Sequence, residues 1–175
     1  MSVGDGSFST LTLLIGIPGA GKTTWLNEYV RTHPSVDVVS TDKIREELFG
    51  TIVCDPSQND KVYEVARNKV DTLLRQKKRI GFGPEVIVDS TNVDAHLWKQ
   101  YKDLKPSVMF ARVFLTPPEE AIKRMQHRTY KVPADVIERK WSELQNNLKY
   151  LNCIFNMVIT MNTPNYYPLL LANQK

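Results

Sequence analysis

The string Gly16-Ile17-Pro18-Gly19-Ala20-Gly21-Lys22-Thr23-Thr24 matches G-x-x-x-x-G-K-[ST], a spacing at which backbone N–H groups can wrap the phosphates of a nucleotide. Glycine at 19 and 21 lets backbone come close to a phosphate without a side chain in the way. Lys22 can reach the β- and γ-phosphates, and the Thr23 hydroxyl can take one position on Mg²⁺. The context is the one the motif needs: an apolar run, Leu11–Ile15, precedes it, and a segment with helical potential, Thr23–Val30, follows. Binding of a nucleoside triphosphate with Mg²⁺ is the expectation.

Two acids stand where strands should end. Asp42 follows the β-branched run Val36–Ser40, and Asp89 follows Val86–Val88. In open α/β sheets ligands sit outside the carboxyl ends of strands, so both carboxylates are expected near the γ-phosphate. Asp42 is the candidate base for an attacking hydroxyl, and Arg45, about one helical turn on, would share its face. An Asp opening a helix is equally a common N-cap, and spacing alone leaves both roles open. Asp89 could hold Mg²⁺ or simply fix the next turn. Arg124 and Arg128 are four apart, expected on one helical face, where cations could lower the barrier of the transferring phosphoryl group. A solvated surface helix is the plain alternative. Asn162-Thr163-Pro164 could border the adenine, though these are also ordinary turn formers.

The elements that must position these residues alternate along the chain. Strands are expected at Leu11–Ile15, Val36–Ser40, Glu85–Asp89, Val108–Leu115 and Asn156–Met161. Helices are expected at Asp42–Phe49 and Lys61–Arg79, the second with Val62, Ala66, Val70, Leu73 and Leu74 on one stripe. Others are expected at Asp94–Leu104 and Glu119–Gln126, and one opens at Pro133, carrying Val136, Ile137, Trp141, Leu144, Leu148 and Leu151. Thr51–Asp60 reads as a loop by its turn residues. Five strands alternating with helices imply an α/β fold, a mostly parallel sheet covered on both faces. The 175 residues are expected to form a single domain with a small lid at about 119–133.

Composition fits that class. Hydrophobic residues make up 42% of the chain, enough for a sizeable core. No apolar run approaches the ~20 residues of a membrane span, and no export signal opens the sequence, so a cytoplasmic location is expected. Cys54 and Cys153 have no metal-ligand spacing, which argues against zinc. The net charge of +4 is uneven: residues 1–60 carry 4 Lys and Arg against 8 Asp and Glu, whereas 61–105 carry 10 against 6. The cluster Arg75-Gln76-Lys77-Lys78-Arg79 could bind a polyanion or could complement the C-terminal dipole where a helix stops. A GTPase would need an Asn-Lys-x-Asp loop for its guanine, and none is expected here.

Taken in order, Gly16–Thr24, Ser-Thr-Asp-Lys-Ile-Arg-Glu-Glu-Leu-Phe-Gly at 40–50, Val-Ile-Val-Asp-Ser-Thr-Asn at 86–92 and Arg124-Met-Gln-His-Arg128 before Val132-Pro133 resemble the kinase domain of phage-type polynucleotide 5′-hydroxyl kinases. The likeness spans most of residues 10–160. It implies a P-loop kinase fold with Asp42 as general base on the 5′-hydroxyl and Arg45 on the neighbouring phosphate. It also implies Arg124 and Arg128 in a lid over the ATP phosphates, and Thr91 and Asn92 beside the substrate. The phage prototype has its acid directly before Thr-Asn, whereas Ser90 intervenes here, and no Asp-x-Asp-x-Thr phosphatase motif is present. The expected activity is ATP-dependent phosphorylation of the 5′ end of single-stranded DNA or RNA. Kinases of nucleosides, sugars or antibiotics share the same loop and a similar Asp, and a nucleotide-binding module without transferase activity is a third possibility.

Overall fold

The computed structural model describes residues 8–53, 55–76 and 85–161. Five strands, β1 (Thr10–Ile15), β2 (Asp37–Ser40), β3 (Glu85–Asp89), β4 (Val108–Phe114) and β5 (Met157–Met161), form one sheet in the order β2-β3-β1-β4-β5. Every pairing is parallel. The helices are α1 (Lys22–Thr32), α2 (Thr41–Phe49), α3 (Asn59–Leu74), α4 (Ala95–Lys102), α5 (Pro118–Met125), α6 (Ala134–Asn147) and α7 (Leu151–Ile154).

The strands are short Val-, Ile- and Leu-rich runs because a parallel sheet is buried on both faces. Side chains alternate across it. Leu11, Leu13 and Ile15 of β1 join Val86, Val88, Ala111 and Val113 in one core cluster with residues of α3, α4 and α7. Leu14 turns the other way, with Ile87 and Phe114, and meets α1 and α5. Helix α6 serves both layers, giving Ile137 to the second cluster and Leu144 to the first.

β1 sits at the centre. Its chain leaves for β2 at one edge, whereas β3 is followed by a crossover to β4 on the other side. The gap outside the carboxyl end of β1 is thus the place where an open α/β sheet accepts a ligand. Register brings the candidate residues there: Asp89 pairs with Leu14 on one side and Ser40 on the other.

Most expected elements stand within a residue or two. Thr51–Asp60 differs, because Pro56–Gln58 forms a 3₁₀ turn and α3 already begins at Asn59. The Asp55 carboxylate accepts from the Ser57 N–H (2.9 Å) and hydroxyl (2.8 Å), which tightens that turn. Helix α3 stops at Leu74 and Arg75 donates to Asp71 at 2.8 Å; Lys77–Arg79 lie outside the described residues, as does Asn162-Thr163-Pro164. The last long stripe is split by a 3₁₀ turn, Leu148–Tyr150, between α6 and α7, yet Leu148 and Leu151 stay buried.

Candidate active site

The glycine-rich loop joins β1 directly to α1. Gly19 and Gly21 have φ of 81° and 95°, values that L side chains rarely adopt. At Gly19 a Cβ would also lie 2.6 Å from the Ala121 carbonyl oxygen, so the loop packs against the backbone of α5. Gly16 is wedged against Phe114, with its N–H donating to the Thr91 carbonyl at 2.9 Å. Pro18 is half-buried, Ala20 buried, and Thr23 and Thr24 are exposed at the start of α1.

Lys22 is buried, and its Nζ donates to the Gly16 and Ile17 carbonyls at 2.7 and 2.9 Å. Burial lowers its pKa to about 8, against the opposing pull of Asp89 and Asp42; Arg128 lowers it further. Burial likewise raises the Asp89 carboxyl, with Asp42 adding to the rise and Lys22, Arg128 and Lys43 opposing it. Lys22, Asp42, Asp89 and Arg128, separated by up to 106 positions in sequence, therefore share one electrostatic neighbourhood.

Asp42 is the second residue of α2, and the helix is capped by Ser40 without a side-chain bond. The Asp42 carboxylate accepts from Arg45 Nη1 at 2.9 Å, and its side chain is 69% exposed against 7% for Arg45. Arg45 Nη2 donates to Asn59 Oδ1 at 3.2 Å. The exposed acid therefore stands over a buried cation.

Arg124 donates from Nε to Glu120 at 3.0 Å and from Nη1 to the Gly19 carbonyl at 3.5 Å. Helix α5 ends at Met125, so Arg128 lies in the following turn, its N–H on the Met125 carbonyl at 3.1 Å, and not on the helical face its spacing suggests. Both arginines nonetheless line one cleft of about 570 Å³ with Gly19–Gly21, Thr24, Trp25 and Phe114.

Thr91 and Asn92 lie in the turn that follows β3. Asn92 is buried at φ 46°; its Nδ2 donates to the Leu14 and Val88 carbonyls (2.9 and 3.2 Å), and its own carbonyl accepts from Trp98 Nε1 at 2.6 Å. With Thr91 holding Gly16, this turn clamps the loop to β3.

Sequence reasoning missed Asn59, Thr116 and Trp25. Thr116, whose hydroxyl donates to the Ala20 carbonyl at 3.1 Å, had a usable signal, since it follows β4 at the ligand edge of the sheet. Trp25 lines the cleft, with Arg112 4.3 Å from its ring centroid. Asn59 had none. The expectation that Asn-Lys-x-Asp is absent needs correction: Asn68-Lys69-Val70-Asp71 fits it. The string lies inside α3, with Val70 buried, Lys69 paired to Glu47 and Asp71 to Arg75. Its placement in a helix, and not its absence, argues against guanine reading.

Mg²⁺ would find an exposed Thr23 hydroxyl and the Asp89 carboxyl at this edge. That donor set fits a cation that keeps several waters and takes only one or two protein oxygens beside the phosphates. Among the described residues no cluster of three or more His, Cys, Asp and Glu could hold a metal by itself. No helix there is long and apolar enough to cross a membrane.

Comparison with known proteins agrees with this fold. A protein of the Pnkp1/Rnl/Hen1 RNA repair complex superposes with a TM-score of 0.66 at 21% identity, over 86% of this chain and 49% of its own. A gluconokinase from Sinorhizobium meliloti 1021 gives 0.59 at 13%, over 96% and 89%. A chain of the AvrRxo1-ORF1:-ORF2 structure with ATP gives 0.62 at 18%, over 83% and 50%. The chain thus spans about half the length of the first and third, and the shared fold is that of P-loop kinases. Residues 11–151 match the profile of an AAA domain family, AAA_33, and on that match the chain belongs to this family of P-loop domains.

Proposed function

We propose that the chain is an ATP- and Mg²⁺-dependent kinase that phosphorylates the 5′-hydroxyl of a polynucleotide. Its P-loop kinase-like fold supports ATP-dependent phosphoryl transfer. The observation that carries the finer reading is the pair of an exposed Asp42 carboxylate and a buried Arg45, in the electrostatic field of Lys22. A module that only binds nucleotide needs neither.

The loop N–H groups and Lys22 hold the triphosphate. The acceptor hydroxyl donates its proton to the Asp42 carboxylate as its oxygen attacks the γ-phosphorus in line, and the bond from that phosphorus to the β–γ bridging oxygen breaks, so that ADP leaves. Arg124 and Arg128 neutralise charge on the transferring group. Thr23 and Asp89 are the residues that would hold Mg²⁺ with the nucleotide, where it would supply further neutralisation of phosphate charge. Arg45 would meet the phosphate beside the acceptor hydroxyl.

A small-molecule acceptor is the second reading, favoured by the gluconokinase likeness over 89% of that chain and by the acids of α2, where Asp42, Glu46 and Glu47 outnumber Lys43 and Arg45. A radiolabel panel with γ-labelled ATP separates the two. Label on a 5′-hydroxyl oligonucleotide, with a nucleoside and gluconate poor by comparison, supports the first reading. Preference for the nucleoside or the sugar acid moves the assignment to the second.

A further inference from the structure

Arg45 is held from two sides, and only one of them belongs to its own helix. Nη1 donates to Asp42 Oδ1 at 2.9 Å within α2, and Nη2 donates to Asn59 Oδ1 at 3.2 Å across to the first residue of α3. Its side chain is buried, and Nε has no hydrogen-bond partner. A buried guanidinium with so few anchors depends on each of them for its orientation. The orientation then passes outward, because the exposed Asp42 carboxylate rests on Nη1. Asn59 opens α3 directly after the Pro56–Gln58 turn, and its backbone N–H donates to the Pro56 carbonyl.

We propose that Asn59 is a positioning residue of the acceptor site, acting through Arg45 to fix the Asp42 carboxylate where it meets the acceptor hydroxyl. The inference rests on the reading of Asp42 as the base. A carboxylate free to swing loses alignment with the hydroxyl, and small misplacements at a reacting centre are costly in rate. Binding of ATP to the Gly16–Thr24 loop, which Asn59 does not line, is unaffected.

The test is a double-mutant cycle in steady-state transfer to whichever acceptor of the panel takes label, with thermal unfolding of each protein measured alongside. Asn59→Ala lowers kcat about tenfold at an unchanged KM for ATP. Asn59→Asp, which keeps an acceptor oxygen in the same place, returns kcat to within about twofold of wild type. In an Arg45→Ala background the Asn59→Ala change costs less than about twofold, as coupled residues require. Wild-type kcat in Asn59→Ala, or the same factor lost in both backgrounds, overturns the proposal. Should Asn59→Ala unfold, Asn59→Ser serves in its place, since serine also suits a helix start but is too short to reach Nη2. Asp42→Asn in the same assay keeps the two ideas apart: full activity there removes the base assignment, while the cycle still reports whether Asn59 acts through Arg45.

Discussion

Lys22 combines two demands that conflict in the free protein. In the proposed reaction its ammonium meets phosphates, yet it is buried against two carbonyls, and burial pushes its pKa down to about 8. Between pH 8 and the ordinary lysine value of 10.5 the unfolded chain keeps this proton and the folded chain does not, so stability from this group rises with pH across that window. The difference in stability between wild type and Lys22→Met should grow in wild type's favour from pH 8 to 10.5, by an amount on the order of 3 kcal/mol. A triphosphate prefers the charged form. ATP affinity should accordingly fall above pH 8, by up to about tenfold per unit, and titration calorimetry in two buffers should detect proton uptake; a flat affinity from pH 7 to 9.5 would count against the site. Arg124→Ala or Arg128→Ala should each lower kcat by about 10–100-fold with thermal stability nearly unchanged, because both are surface cations of the cleft. Lys22, Asp42, Asp89 and the arginines were all legible as residue types at telling positions. What spacing could not tell was whether Asp42 caps its helix, since that depends on where α2 starts; the helix opens one residue earlier, and the carboxylate turns to Arg45.

The elements explain why the loop tolerates so little. Gly19 and Gly21 both have left-handed backbone, but only Gly19 faces α5 across a gap that a methyl would close. Gly19→Ala should lose about 1–3 kcal/mol from strain alone and more from displacing α5, together with transferase activity. Gly21→Ala meets nothing nearer than Arg124 Nη1 at 3.7 Å and should lose the strain alone. Denaturant melts of the two variants check this, and equal losses would mean that the α5 contact contributes nothing. Strands were the most legible elements, because burial on both faces leaves short β-branched runs between turn residues. The 3₁₀ turn at Pro56–Gln58 was hidden within polar residues that also suit a loop. The break in the last stripe was hidden too, as Leu144, Leu148 and Leu151 keep helical spacing through it. Contacts between elements, such as Asn59 with Arg45 or Thr91 with Gly16, depend on strand order, which no local pattern encodes.

At the scale of the whole molecule, the sheet order places the nucleotide loop centrally, with the Asp42 helix on one side and the arginine segment on the other. In the proposed function the acceptor meets the nucleotide from the Asp42 side and the arginines close on it from the other. A polynucleotide acceptor brings phosphates whose counterions are released on binding, so its KM should rise with salt, with a slope near −0.7 in log affinity per phosphate neutralised on a single strand. Arg45→Ala should flatten that slope by about one contact. A KM that ignores salt would favour an uncharged acceptor. The central claim, an Asp42-assisted transfer of the γ-phosphate to a 5′-hydroxyl, is tested most directly by following label from γ-labelled ATP onto a 5′-hydroxyl oligonucleotide with wild type and Asp42→Asn side by side. The account predicts 5′-end labelling by wild type, and a kcat lower by about 10²–10⁴ in Asp42→Asn with unchanged ATP affinity. Equal labelling by the two proteins, or label released only as inorganic phosphate, would contradict it.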